Sequence, residues 1–358
     1  MKALVVGANG LVGAHVSEAL VDGGHDVRGL IRETSDLSSL DGLPIELVVG
    51  DVLDPQAVVD ATAGCDVVFH TAVPFAYAGQ VDDDVDRIAA EGTANVLRAC
   101  AASGVARAVV TSSSVVLGYS VVPTPVDERH TPSEVTGTEP GYVRAKVRQD
   151  RASLQLGSEL GLEVVLACPT MTIGAQPARL GPSNAIVVQY LADPFCSTYA
   201  GGINVVAAPD VGRGHVVLAE HGRAGERYVL GGDDLTWPEV HGMIADLCGI
   251  AAPRFTAAPS ITYWSAATEE LLARVRRRSP LATREQASMT GRYYWYSSAK
   301  AAALGYRARP AREALADTIA WLVTTDNVTR EMRASMTLHR DVYDARRRRR
   351  DRLVREAP

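Results

Sequence analysis

The stretch that most constrains the fold lies within the first dozen residues. In VVGANGLVGAHV, Gly7, Gly10 and Gly13 join an apolar run at residues 3–6 to a helical pattern at about 11–21. Glycines at that spacing permit a tight turn, close approach of backbone to a bound group, and close packing of helix on strand. The start of the helix then aims unpaired N–H groups at the turn, which favours an anion such as a pyrophosphate. The spacing alone is a weak signal in a chain with 31 glycines. Its place between an apolar strand and a helix gives it weight.

The first half keeps up the same alternation. Runs rich in Val, Ile and Leu at 27–31, 46–49, 67–70, 108–112 and 162–168 read as strands. Helical patterns near 55–63, 85–103 and from Tyr142 to about 161 separate them. Strands apolar on both faces, spaced by helices, predict an α/β fold: a doubly wound parallel Rossmann sheet. After Pro169 the rhythm breaks. Residues 174–184 read as a Gly/Pro-rich loop, YVLGG at 228–232 as a strand ending in a turn, and 238–247 and 311–322 as helices. This predicts a dinucleotide-binding domain at 1–170, with a segment near 203–232 partly returning to it. A smaller mixed α/β substrate domain would span 171–323, and an Arg-rich helical tail 324–358.

A chain of 358 residues with 47% hydrophobic residues can fill two cores. Its net charge of −6 gives no reason to expect nucleic acid as a partner. Charge is uneven: from Asn327 onward there are ten Arg and five acidic residues, a run read as a solvated, partly frayed helix. Cys65, Cys100, Cys168, Cys196 and Cys248 are odd in number, widely spaced and form no CxxC pair, so neither disulfides nor a metal site are expected. With the first strand beginning near Met1 and no apolar run approaching about 18 residues, the expectation is a cytoplasmic protein with no membrane partner.

The end of the second strand reports on cofactor type. An acidic residue there would accept the ribose hydroxyls of NAD(H); the sequence has Ile31 and then Arg32, whose guanidinium suits a 2′-phosphate. NADP(H) is therefore the preferred cofactor, with NAD(H) the alternative. Asn9, Leu11 and Val12 share the glycine turn. Asp51 and Val52 follow the third strand, where Asp51 could meet an adenine amino group. Thr71, Ala72 and Val73 close the fourth, Thr111 the fifth, and Pro169, Thr170 and Met171 the sixth. All of these are expected along the cofactor. His70 reads better as a satisfied core histidine.

The chemistry is expected from Tyr142 and Lys146. On a helix, i and i+4 share a face, which sets an ammonium beside a phenol. With 12 Tyr and three Lys in 358 residues, about 0.1 such pairs is expected by chance. The ammonium should lower the phenol's pKa from about 10 so that it exchanges a proton near neutrality. A hydroxyl from TSSS, residues 111–114, can hold the same substrate oxygen while a nicotinamide carries the hydride.

Together these motifs resemble the extended short-chain dehydrogenases/reductases of the NAD-dependent epimerase/dehydratase superfamily, nearest the dihydroflavonol-4-reductase-like branch. The matching pieces are GANGLVG, GLIRETSD, GDV, HTAVP, TSSSVV, YVRAK and CPTMTIG, then GERYVLGGDDLTW and SSAKAAALGY, over residues 1–323. The resemblance implies Ser113 as the catalytic serine, with Ser112 and Ser114 as its rivals, and Tyr142 and Lys146 as the acid/base and its helper. It implies reduction of a carbonyl or oxidation of an alcohol on a small molecule, or epimerisation of a nucleotide sugar. A homodimer through the Tyr/Lys helix is also implied. A non-catalytic dinucleotide sensor using the Arg-rich tail is a third reading. The dehydratases' Thr-Asp-Glu is absent, since Ser113 and Ser114 stand there. Ala89 occupies the place of an Asn that usually supports a buried water. Pro74, Phe75, Tyr77, Ser114, Val115, Thr170, Met171, Tyr190 and Tyr199 are the expected substrate lining, apolar to aromatic.

Overall fold

A computed structural model describes residues 1–72, 87–130, 141–175, 180–276, 280 and 282–355, with 285–286 and 350–355 by backbone only. Seven strands form one parallel sheet: β1 (Lys2–Val6), β2 (Asp26–Ile31), β3 (Glu46–Val49), β4 (Val67–His70), β5 (Arg107–Thr111), β6 (Glu163–Pro169) and β10 (Arg227–Leu230). Their order is β10-β6-β5-β4-β1-β2-β3. Alternate residues of a strand face opposite sides, and here both sides are apolar. Ala3, Val5, Phe69, Val109 and Val165 pack in one core with Val16 and Leu20 of helix α1 (Leu11–Asp22). Leu4, Val6, Val68, Val110 and Leu166 pack on the other face with α2 (Pro55–Thr62) and α3 (Thr93–Ala102). The result is a doubly wound Rossmann-type α/β sheet.

Strand order reverses at β1, which pairs with both β2 and β4. In such sheets the ligand crevice opens at the carboxyl ends of the strands on either side of the reversal. The residues that follow β1 and β4, Gly7 and Thr71, are therefore brought together. Helix α4 (Gly141–Leu160) precedes β6 and carries Tyr142 and Lys146 to the same edge.

Beyond β6 a smaller mixed sheet joins β7 (Met171–Ile173), β9 (Gly202–Ala207), β11 (Asp233–Thr236) and β13 (Tyr293–Tyr294), with β9 central. Its core includes Ile173, Val205, Val240, Ile244, Leu315 and Trp321, gathered from the sheet, α7 (Trp237–Cys248) and α9 (Ala311–Leu322). Between β9 and β10, α6 (Ala208–His221) packs on α1, so the chain returns to the main sheet before leaving it again. Strand β8 (Ser197–Tyr199) pairs with β12 (Phe255–Ala257), which leads into helix α8 (Pro259–Val275).

Several local details differ from the sequence expectation. The loop expected to 184 ends earlier, because Pro182 starts α5 (Pro182–Ala192) with its ring at the first helical position, where no N–H is needed. The helix expected from 85 is described from Arg87 and contains a π-helical turn, Ile88–Gly92, that periodicity did not foretell. At the other end, α10 (Arg340–Arg355) docks on α9 through Val342 and Ala345, both fully or nearly fully buried. Arg348–Asp317 at 3.0 Å and Arg312–Asp341 at 2.9 Å add ion pairs across this contact. No described helix is long and apolar enough to cross a membrane.

Candidate active site

The glycine turn is dictated by sterics. Gly7 has φ +82°, and a Cβ there would lie 2.8 Å from the Ala72 Cα. A Cβ on Gly13 would meet Thr71 Oγ1 at 2.8 Å and the Gly7 carbonyl oxygen closer still. Gly7 and Gly13 thus serve the turn and the helix–strand contact, whereas Gly10 faces a cleft. Gly10 caps α1 without a side-chain hydrogen bond, and the first turn of α1 holds no acid. The Gly10 N–H is used by the Gly7 carbonyl at 3.1 Å, and Leu11, Val12 and Gly13 begin the helix at the cleft with N–H groups that suit a phosphate group.

Neighbouring segments are tied to this turn. Thr71 Oγ1 donates to the Val6 carbonyl at 2.8 Å, fixing the end of β4 beside β1. Asn9 Nδ2 donates to the Asp36 carbonyl, and Ser39 Oγ donates to the Asn9 carbonyl, linking the turn to the segment after β2. Ile31 closes β2 in the core while Arg32 is exposed just beyond it. Asp51 caps the turn after β3 by accepting from the Leu53 N–H, and Val52 is buried. Arg32, Asp51 and Val52 do not line the cleft; they flank the ends of β2 and β3. Val73, Pro74, Phe75 and Tyr77 lie outside the described residues.

Thr111, Ser112, Ser113, Ser114, Tyr142 and Lys146 come together on one wall of the cleft. Ser113 hydrogen-bonds the Tyr142 phenol. Its two neighbours are committed elsewhere: Ser112 Oγ donates to Asp150 Oδ2 at 2.7 Å, and Ser114 hydrogen-bonds Tyr296. The geometry thus separates three adjacent serines that the sequence left as rivals.

Lys146 Nζ donates to the Thr111 carbonyl at 2.9 Å and to Gln149 Oε1 at 3.0 Å. Its side chain is buried, and this pushes the ammonium down to about 7. Burial also pushes the Tyr142 phenol up to about 12, against the smaller pull of its Ser113 hydrogen bond. The expected lowering of the phenol by the lysine is overturned for the protein alone. Loss of water around a fully buried hydroxyl outweighs an ammonium engaged with other acceptors.

Two further side chains fix the wall from behind. Asp150, one turn beyond Lys146, accepts from Ser112 and from Arg227 Nε at 2.8 Å. Thr111 Oγ1 pairs with His215 Nε2 of α6 at 2.8 Å, while His215 Nδ1 donates to the Val211 carbonyl. Asp150 and Gln149 could have been noticed in the sequence as polar residues sharing a helix face with Lys146 at i+4 and i+3. His215 carried no such signal, because sequence does not show which helix backs β5.

The cleft widens from this wall into a chamber; the whole holds about 750 Å³. Val115, Pro169, Thr170, Met171 and Tyr199 line it, joined by Ile203, Trp237, Tyr294 and Tyr296. Thr170 is set by a 2.7 Å hydrogen bond to Asn204 Oδ1. Tyr190 is not in the lining: it is buried in the core, stacked on His241, and donates to the Ala251 carbonyl. On α5 it takes the core-facing side, which a single aromatic in a short apolar helix does not reveal. The only charged residues among the described lining are Lys146, Asp193 and Glu269. No group of three His, Cys, Asp or Glu among the described residues could hold a metal ion.

Residues 3–231 match the model of the NAD dependent epimerase/dehydratase family. The chain is 32% identical to cinnamoyl-CoA reductase 1 of Oryza sativa subsp. japonica over 270 residues, covering 71% of this chain and 76% of the relative. It is 27% identical to dihydroflavonol 4-reductase of Zea mays over 264 residues, covering 68% and 72%. The solved structure of gox2253 superposes with a TM-score of 0.79 at 31% identity, covering 91% of this chain and 99% of that one. The glycine turn, the strand order and these matches agree: the chain belongs to the NAD-dependent epimerase/dehydratase family, within the dihydroflavonol-4-reductase-like branch of the extended short-chain dehydrogenases/reductases.

Proposed function

We propose that the protein is an NADP(H)-dependent oxidoreductase that reduces a carbonyl, or oxidises the corresponding secondary alcohol, on a hydrophobic or aromatic small molecule. The observation that carries this is one continuous cleft running from the glycine turn, past Ser113, Tyr142 and Lys146, into an apolar chamber. The turn fits a dinucleotide, because side chains at Gly7 and Gly13 would fill the space its backbone uses and the helix start offers N–H donors. Gly10–Gly13, Thr71, Ala72, Thr111 and Pro169–Met171 would hold it, and Arg32, with no acid at Ile31, suits a 2′-phosphate. The nicotinamide supplies or accepts the hydride when bound.

Protein groups handle the proton. In the reducing direction, the neutral Tyr142 phenol donates its proton to the carbonyl oxygen while the Ser113 hydroxyl hydrogen-bonds the same oxygen. The high phenol pKa keeps that proton available at neutral pH. Lys146 stabilises the phenolate left behind. The lining supports an apolar substrate: outside Lys146, the described chamber residues include no cation to meet a diphosphate or other polyanion. The names of relatives, among them reductases of flavonoid and cinnamoyl compounds, agree with this class. The cysteines, none in a disulfide and four of them buried, suit a reducing compartment such as the cytoplasm. A homodimer through α4 is part of the reading and is checked by sedimentation.

The test is turnover of NADPH by the purified protein with a panel of aryl and alicyclic ketones. Wild-type turnover, abolished by Tyr142→Phe, is the expected result. If no ketone is reduced, or if the variant works as well as the wild type, the reading fails. An epimerase would instead purify with dinucleotide bound and show no net change in NADPH.

A further inference from the structure

Behind Lys146, on the side away from the cleft, four buried side chains are linked in series. Lys146 Nζ donates to Gln149 Oε1 at 3.0 Å, Gln149 Nε2 donates to Thr93 Oγ1 at 3.2 Å, and Thr93 Oγ1 pairs with His70 Nε2 at 2.9 Å. Each of the four is at most 3% exposed. The chemistry sets the direction of the chain. An ammonium can only donate, so the Gln149 oxygen must face it and its NH₂ must face Thr93. Thr93 Oγ1 accepts from Gln149 and also pairs with His70 Nε2. His70 is held neutral, its pKa pushed down to about 3 by burial, so its ring carries one proton, and the direction of this last bond follows the tautomer. The donations from Lys146 and from Gln149 run the same way, which strengthens both bonds in a low-dielectric interior.

We infer that Gln149 is a positioning residue for Lys146: its amide, oriented by Thr93 and His70, holds the ammonium at the end of β5. The inference rests on the reading of Tyr142 and Lys146 as a proton-transfer pair. An ammonium buried this deeply needs acceptors, and among the described residues it has two neutral ones, the Thr111 carbonyl and Gln149 Oε1. Of the described titratable groups around it, the Asp150 carboxylate adds some attraction but is itself shared with other donors. Asp150, on the same helix, is bound by Ser112 and Arg227; Cys168 of β6 is buried with its thiol pushed up; His70 of β4 is neutral; Tyr142 is a phenol. The π turn that packs against α4 brings in Ala89, whose side chain has no polar group to offer. Removing the Gln149 oxygen leaves the ammonium one backbone acceptor, and its proton is lost more easily.

The chain has three lysines, Lys2, Lys146 and Lys300. Protein labelled with ¹³C at lysine Cε therefore gives three signals, and Lys146→Met identifies the one that matters. Gln149→Leu is expected to move the Lys146 titration midpoint down by about one pH unit, and Gln149→Glu, which keeps an oxygen there, to hold it at or above the wild-type value. Thr93→Val, which removes the anchor and leaves the glutamine, should shift it in the same direction as Gln149→Leu and serves if that variant does not fold. Midpoints within about 0.2 unit of wild type in the leucine and valine variants that fold overturn the inference. This readout needs no turnover. A protein that reduces no ketone would defeat the proposed function and leave the lysine result to stand on its own.

Discussion

Removing Asp150 should cost more than removing any other single ion-pair partner near the site. Asp150 is 2% exposed; one carboxylate oxygen accepts from Ser112 Oγ at 2.7 Å, and the other accepts from two nitrogens of Arg227, whose side chain is 29% exposed. Asp150→Ala strands a half-buried guanidinium and a buried serine hydroxyl. Breaking a buried pair from one side costs about 3–5 kcal/mol, and the partial solvation of Arg227 places this case near 3 kcal/mol. Arg227→Met strands the carboxylate instead and should cost a similar amount. Replacing both, as Asp150→Ala/Arg227→Met, leaves no orphaned charge, so it should cost less than the sum of the singles by at least about 2 kcal/mol. The assay is urea unfolding of all four proteins, followed by tryptophan fluorescence and circular dichroism, with coincident transitions required before free energies are compared. A loss under about 1 kcal/mol in either single, or strict additivity in the double, would refute the claim that this pair braces the site. Ser112 adjoins Ser113, so the single variants should also lose kcat more than affinity for NADPH.

Further outcomes follow from the same geometry. Gly13→Ala places a methyl against Thr71 and the Gly7 carbonyl, so NADPH binding, read by quenching of protein fluorescence, should weaken at least about tenfold. Arg32→Ala should raise the Kd for NADPH about tenfold and leave NADH nearly unchanged; equal effects on both would remove Arg32 from the 2′-phosphate. Tyr142→Phe should lower kcat by about 10²–10⁴ with cofactor affinity kept. Stability should fall in acid. Burial lowers the folded pKa of His70 to about 3 and of His215 and His241 to about 4, below the unfolded value near 6.5. The unfolded chain therefore takes up protons first as pH drops from about 6.5 towards 4, and Tm should decline over that window.

Much of the frame was legible because it depends on local rules. The strand runs are apolar on both faces, and the turn glycines sit where a Cβ cannot fit. A tyrosine and lysine four apart on a helix must share a face. Strand β3 and helix α9 begin and end where their patterns do. What could not be read depends on which elements meet. The three adjacent serines are told apart only by Asp150 and Tyr296, which lie 38 and 182 residues away from Ser112 and Ser114. The apolar helix α5 gave no sign that Tyr190 turns to the core and not the chamber. Phenol and ammonium pKa values follow burial, which residue spacing does not encode.

The account depends most on Tyr142, Lys146 and the glycine turn serving one bound dinucleotide. A crystal structure of the protein with NADP⁺ tests this most directly. The account predicts the pyrophosphate on Gly10–Gly13, the 2′-phosphate at Arg32, and the nicotinamide opening towards the chamber, with its reactive carbon and the Tyr142 hydroxyl both within about 3–4 Å of a common substrate position. A nicotinamide turned away from Tyr142, or a cofactor seated elsewhere on the chain, would contradict it.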